Sequence, residues 1–377
     1  MEKSELMDTA RMIVRRTLAS RHKAAFRRPT VGPRLASVGT ATPPNRYTQE
    51  QVLDLFGETN PKIRKLYCNS HIKTRFLYLP EPVNGSMPDE SNQQLISKHL
   101  AGCLEIGPQA IEQALQPLGL APYNVDFLCC VSSTGLLVPG ISAHLIKQMG
   151  FRENVWRADV LGMGCNAAMN GLQVVNGLVA SQPGKVGLLL CVEVCSAAYV
   201  YNSKLSTAVV NSLFGDGAGA AVVRIQEDDT WETGPVLVDF EPHIVTEAID
   251  AMKYELEGTK LSFYLDRDIP YVIGREVEKP VHRLLGRHGL RVRDIDHWVI
   301  HSGGKKVIDA IEYNLGLTDY DVRHTLSVLK NYGNLSSGSV LFTFKELRRE
   351  GVIGEGDLGV MIAMGPGTSI ETALISW

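Results

Sequence analysis

Cys165 ends the turn Gly162-Met163-Gly164-Cys165. Before it lies the apolar, β-branched run Val155–Leu161, which reads as a buried strand; after it, Ala168, Leu172, Val175 and Leu178 recur at helical spacing. The two glycines give a sharp strand-to-helix turn its room. The sulfur is therefore expected at a helix N-terminus, where unpaired N–H groups and the helix dipole favour negative charge. An ordinary thiol of pKa about 8.5 is only a few per cent thiolate at neutral pH; this position predicts a value near 6 and a nucleophile. A small cysteine packed in a core is the plainer account of any lone Cys. The Gly-x-Gly-Cys turn favours chemistry.

The elements that would position this sulfur occur twice. Residues 115–132 align with residues 285–302 at an offset of 170, pairing Leu115 with Leu285, Gly119 with Gly289, Leu120 with Leu290, Val125 with Ile295 and Asp126 with Asp296. Each copy reads as a helix end, a Gly stop and a buried strand. Gly164-Cys165 then falls opposite Gly333-Asn334, and 184–190 opposite 356–362. An offset held between 169 and 172 over these landmarks indicates an internal duplication of two βαβ-type halves. Val131 corresponds to His301, and Cys165 to Asn334. Halves related by a pseudo-two-fold axis are expected to bring Cys165, His301 and Asn334 to one point; a duplicated scaffold with no site remains the alternative.

At these residues the chain resembles the thiolase-fold condensing enzymes, and among them the type III polyketide synthases related to chalcone and stilbene synthases. The motifs are the Cys165 turn, Phe214–Ala218, His301–Gly304, Tyr332–Ser337 and Met364–Gly367, in the family's order from about Arg34 to Trp377. The wording around Cys165, and in 212–217, 269–274 and 301–309, is similar to the bacterial branch that makes 3,5-dihydroxyphenylacetyl-CoA from malonyl-CoA alone. The resemblance implies an α/β, thiolase-like αβαβα layered fold from two duplicated halves. It implies an acyltransferase that condenses malonyl-CoA units decarboxylatively into an aromatic polyketide of antibiotic or other secondary metabolism. Cys165 would carry the acyl chain, with His301 and Asn334 donating to the thioester oxygen of the incoming malonyl-CoA. Thiolases need a second base, a cysteine near the C-terminal Gly-rich loop; Met364–Ile370 has none, as suits loss of CO₂.

The resemblance further implies a cavity lined by the gatekeepers Phe214 and Phe263, by Cys195, Ala198, Leu136 and Leu137, and by the loop Gly365, Pro366 and Gly367. Core packing is the alternative for either phenylalanine. Cys195, Ala198 and the Leu136-Leu137 pair depart from the plant enzymes and argue against a coumaroyl-type starter. Val138 would reach across a homodimer interface. Lys62, Arg64 and Lys65 match a stretch that holds CoA phosphates, with Gly303 and Gly304 also expected at CoA; a solvated basic helix face explains the three cations as well. The resembling synthases imply crotonase-like auxiliary enzymes as possible partners.

Composition narrows the rest. A chain of 377 residues at net charge −3 and pI near 6.4 gives no general reason to invoke nucleic acid or an anionic membrane surface. The apolar runs are too short to span a bilayer. Seven cysteines suit a reducing cytoplasm better than a disulfide framework. Neither Cys191 and Cys195 nor Cys129-Cys130 has a second ligand pair, so no metal is expected, and no cofactor beyond CoA thioesters. Residues 1–34 are expected to form a helical arm with an apolar stripe (Met7, Ala10, Val14, Leu18) and a Pro29/Pro33 linker; Glu2, Glu5 and Asp8 argue against a transit peptide. The halves are expected to span 35–228, with Cys165, and 229–377, with His301 and Asn334. Alternatives are an alkylresorcinol or pyrone synthase, a ketoacyl synthase III with another starter, and a non-catalytic assembly subunit.

Overall fold

The strand Phe127–Val131 is apolar and buried at every position. It lies between two parallel neighbours, Val186–Glu193 and Trp156–Val160. Parallel strands need both faces covered. The long helix Asn92–Leu115, started by a Ser91/Gln94 capping box, covers one face through Ile106, Ala110 and Ile111, and the helix Ala167–Ser181 covers the other through Ala168, Leu172 and Val175. The computed structural model describes residues 26–27, 29, 31–84, 87–226 and 230–377. The arm's apolar stripe and residues 227–229 of the expected boundary lie outside the described residues.

The second half repeats the arrangement. His297–Ile300 runs parallel to Leu358–Gly365, which pairs antiparallel with Ser369–Ser376, as Val186–Glu193 pairs with Gly217–Arg224. Arg34–Ala41 and Val236–Ile244 complete the two sets and meet at Arg34 and Val236, giving one nine-stranded array. The halves differ at the edge: Trp156–Val160 has no counterpart among the described strands of the second half. That strand was expected to be buried. It is instead the outermost one, with a single neighbour, and Trp156 is 62% exposed.

Helices Ala167–Ser181 and Ser339–Glu350 both pack on strands of both halves. Their apolar faces share one cluster with Leu35, Cys129, Val299 and Met361. Two further clusters lie under the outer helices of each half. The result is the thiolase-like αβαβα sandwich, and the two central helices begin where the candidate chemistry lies.

Candidate active site

Cys165 occupies a single 3-10 turn, Gly164–Asn166, that leads directly into Ala167–Ser181. Gly162 and Gly164 take φ of +76° and +71°, the left-handed conformation that the turn requires. The opposite central helix begins the same way: Asn334 precedes the turn Ser336–Gly338 and the helix from Ser339. The two turns pack against each other, and the turn at Cys165 also packs against the loop Pro366–Thr368.

The sulfur therefore faces groups of the other half. Cys165 donates to Ser336 Oγ at 3.6 Å, and the Asn334 side chain lies close enough to favour a negative sulfur. Asn334 is oriented by its own neighbour: the Ser336 backbone N–H donates to Asn334 Oδ1 at 2.8 Å, which leaves the amide N–H₂ as the donor of that side chain. His301 continues the strand His297–Ile300, its N–H donating to the Ile362 carbonyl at 2.8 Å. Its ring is buried beside Gly303 and Met364, and Nδ1 has no protein partner. Ser302 Oγ donates to the Gly333 carbonyl at 3.2 Å, joining the His301 segment to the residue before Asn334.

Charge is expensive here. Burial pushes the Cys165 thiol up to about 12, against the lowering effect of Ser336 and Asn334. The expected depression to near 6 does not occur, because the desolvation of a buried thiolate outweighs the partial charge at the helix start. Burial likewise lowers His301 to about 3, so its imidazole is neutral. Glu193, fully buried, accepts from Ser336 Oγ at 3.2 Å, Ser337 Oγ at 2.5 Å, Thr134 Oγ1 at 3.0 Å and the Ser133 N–H at 2.9 Å. Burial raises its carboxyl above the usual range.

A chamber of about 780 Å³ opens from the sulfur. Leu136, Cys195, Ala198, Phe214, Phe263 and Pro366 line it, as expected. Phe214 and Phe263 meet edge to face at 5.5 Å, and Tyr254 continues the row against Phe263 at 5.7 Å. Leu137 packs with the outer core, Val138 is 93% exposed beside a cis Pro139, and Gly365 and Gly367 are not among the lining residues. Lys62, Arg64 and Lys65 lie on the helix Pro61–Cys68, away from the chamber lining. The Arg64 guanidinium donates to Asp54 and to the Glu58 carbonyl. Gly304 takes φ of +137° just before the helix Lys305–Leu315.

Nothing in the sequence alone marks Glu193, Thr134 or Tyr254 as part of this site. Only Ser336 carried a signal, since it lies within the Tyr332–Ser337 motif.

Residues 22–226 match the model for chalcone and stilbene synthases, N-terminal domain, and residues 238–376 the model for the C-terminal domain. The chain belongs to the chalcone and stilbene synthase family. As such it is a type III polyketide synthase, an acyltransferase. It is 47% identical to the 3,5-dihydroxyphenylacetyl-CoA synthase of Streptomyces toyocaensis, over 92% of this chain and 90% of that protein. It is 48% identical to the synthase of the same name from Amycolatopsis balhimycina, over 91% of this chain and 93% of that one. The crystal structure of 1,3,6,8-tetrahydroxynaphthalene synthase from Streptomyces coelicolor A3(2) superposes with a TM-score of 0.83 at 25% identity, over 93% of this chain and 99% of that one. Among the described residues, no helix of this synthase is long and apolar enough to cross a membrane, and no three His, Cys, Asp or Glu side chains are grouped to hold a metal ion.

Proposed function

We propose that the protein builds a polyketide on Cys165 from malonyl-CoA alone and releases 3,5-dihydroxyphenylacetyl-CoA. The observation that carries this reading is the meeting of a thiol, an oriented amide donor and a large, mostly apolar chamber, in a chain nearly half identical to synthases of that name.

On this reading the steps run as follows. Cys165 passes its proton to the neutral His301 imidazole as it attacks the first acyl-CoA carbonyl, so thiolate and imidazolium form together and offset each other's burial. CoA leaves as the thiolate and takes its proton from solvent, while His301 keeps the transferred proton on Nε2 as the imidazolium. The next malonyl-CoA places its thioester oxygen against the Asn334 amide and His301 Nε2–H. Loss of CO₂ leaves an enolate whose oxygen charge these two donors hold. Its carbon attacks the Cys165 thioester, the sulfur departs, and the extended chain is carried on the incoming CoA. No base is asked to remove a carbon-bound proton in the extension step, in keeping with a Met364–Ile370 loop that has no cysteine. The chain's own residues suffice for these steps with CoA thioesters and no further cofactor.

We also assign the halves to residues 35–228 and 229–377. The reading includes a cytoplasmic homodimer with Val138 at its interface, and crotonase-like auxiliary enzymes assisting turnover. The deciding experiment supplies purified protein with malonyl-CoA as sole substrate. An aromatic product that retains CoA supports the reading; an obligatory second acyl-CoA, or preference for malonyl groups on a carrier protein, overturns it.

A further inference from the structure

Arg75, in the short strand Thr74–Phe76, is completely buried and pairs with no carboxylate among the described residues. A buried guanidinium is costly unless its donors are matched. Its two terminal nitrogens are matched, while Nε has no partner among the described residues. Nη1 donates to the carbonyls of Asn211 at 2.6 Å and Phe214 at 2.7 Å, and to Tyr199 Oη at 2.7 Å. Nη2 donates to Gln49 Oε1 at 2.8 Å, and Gln49 Nε2 in turn donates to the Ser212 carbonyl at 2.8 Å.

These carbonyls belong to one helix end. The helix Leu205–Leu213 stops at Phe214, and its last carbonyls have no partner within the helix. Arg75 takes Asn211 and Phe214, Gln49 takes Ser212, and the backbone N–H of Asn334 takes Leu213 at 2.9 Å. The negative end of the helix supplies the charge complement that a carboxylate would otherwise give. Tyr199 Oη adds a second donor to the Phe214 carbonyl at 2.5 Å.

The same helix end carries the gate ring and is bonded to the amide donor. Phe214 and Asn334 form a parallel backbone bridge, with Gly215 N–H donating to the Asn334 carbonyl at 2.9 Å. The Arg75 stem packs against Gly333, where even a Cβ would come within 3.0 Å of Cγ and Cδ. One side chain thus touches both strands of the bridge. We infer that Arg75 is a positioning residue that fixes Phe214 and Asn334 as a single unit, so that the opening to the chamber and the oxyanion donor keep one register. The inference rests on the gatekeeper role that the family resemblance implies for Phe214 and on the donor role proposed above for Asn334. Lysine cannot replace it, because a single ammonium lacks the planar fork that reaches several carbonyls at once.

The test compares full-length wild type with Arg75→Lys and Arg75→Ala. Melting temperature, CO₂ release from malonyl-CoA, aromatic product and amide hydrogen exchange are measured together. Arg75→Lys is expected to stay folded while CO₂ released per product rises several-fold and product formation falls about 10- to 100-fold, as for a misplacement near one ångström. Exchange at Gly215 and Asn334 should quicken together. Added methylguanidinium should restore coupling to Arg75→Ala and not to Arg75→Lys. Unchanged exchange and coupling in Arg75→Lys, or losses in all steps that follow only the unfolded fraction, overturn the inference. If wild type releases no CO₂ from malonyl-CoA, the functional reading fails, and the exchange data alone still decide whether Arg75 holds the bridge.

Discussion

The Cys165 thiol donates to the Ser336 hydroxyl at 3.6 Å, and the same hydroxyl donates to Glu193 at 3.2 Å. The Cys165 sulfur is thus held from a segment 171 positions away, and a buried carboxylate lies one hydroxyl beyond it. Burial and Glu193 both oppose a thiolate, while Ser336 and Asn334 favour it. With the thiol raised to about 12 and His301 lowered to about 3, both are neutral at pH 7 in the free protein.

This arrangement predicts how alkylation depends on pH. Because the thiol is protonated throughout the working range, its thiolate fraction should grow about ten-fold per pH unit. Inactivation by iodoacetamide should therefore climb continuously from pH about 6.5 to about 9, with no plateau. A rate that is flat across that range would reveal a preformed thiolate–imidazolium pair and overturn this account of the resting site.

Asn334 lends itself to a substitution that keeps its fold contact and removes its chemistry. Asn334→Asp retains an oxygen for the Ser336 N–H, but it presents a negative oxygen where the enolate charge develops. Loss of one oxyanion donor typically costs about 100- to 1,000-fold. Decarboxylation of malonyl-CoA should fall at least that far, and because an ionised carboxylate is costly in this buried site the melting temperature should drop as well, so CO₂ release is normalised to the folded fraction. CO₂ release within ten-fold of wild type would remove Asn334 from the proposed role.

Phe263 sits between Phe214 and Tyr254 and meets both edge to face. Phe263→Ala gives up two aromatic contacts, each about 0.5–1.5 kcal/mol, and widens the chamber beside the gate. The variant should accept a bulkier starter, so that hexanoyl-CoA supplied with malonyl-CoA yields hexanoyl-primed products that wild type makes poorly. Identical product ratios in the two proteins would show that this ring packs without selecting.

The three residues proposed for chemistry stand out in the sequence because each sits in a Gly-rich turn and the repeat register sets Cys165 opposite Asn334. The layers followed from the resemblance and the duplicated strand pattern. What supports the site was not legible. Ser336 meets Cys165 across 171 positions and Glu193 across 143, and Arg75 meets Phe214 across 139; such pairings follow from tertiary closure rather than local spacing. The thiol illustrates the same limit. Its turn announces a favourable dipole, but burial is a property of the closed sandwich, and burial prevails. Trp156–Val160 reads as an interior strand because its composition resembles one, although it has only one neighbour.

Gly164 links the nucleophile's turn to the Gly-rich loop of the other half. Its φ is +71°, a conformation that costs a non-glycine residue about 1–2 kcal/mol. A Cβ there would lie 2.2 Å from Cδ and 2.5 Å from Cγ of Pro366. A proline ring has no flexible tip to swing aside, so in Gly164→Ala the Cys165 turn and the 364–367 loop must move apart. Asn334 and Ser336 belong to a separate segment and keep their own bonds to Leu213 and Glu193. Loading of Cys165 should therefore fall about 100-fold, as expected for a nucleophile displaced by about an ångström, and melting should drop by several degrees. Decarboxylation of malonyl-CoA should be affected far less. Mass spectrometry of intact protein after brief exposure to malonyl-CoA measures the first quantity, and CO₂ release the second. Equal losses in both would mean that the turn holds the oxyanion donors as well as the sulfur, and wild-type loading would mean that the Pro366 contact positions nothing.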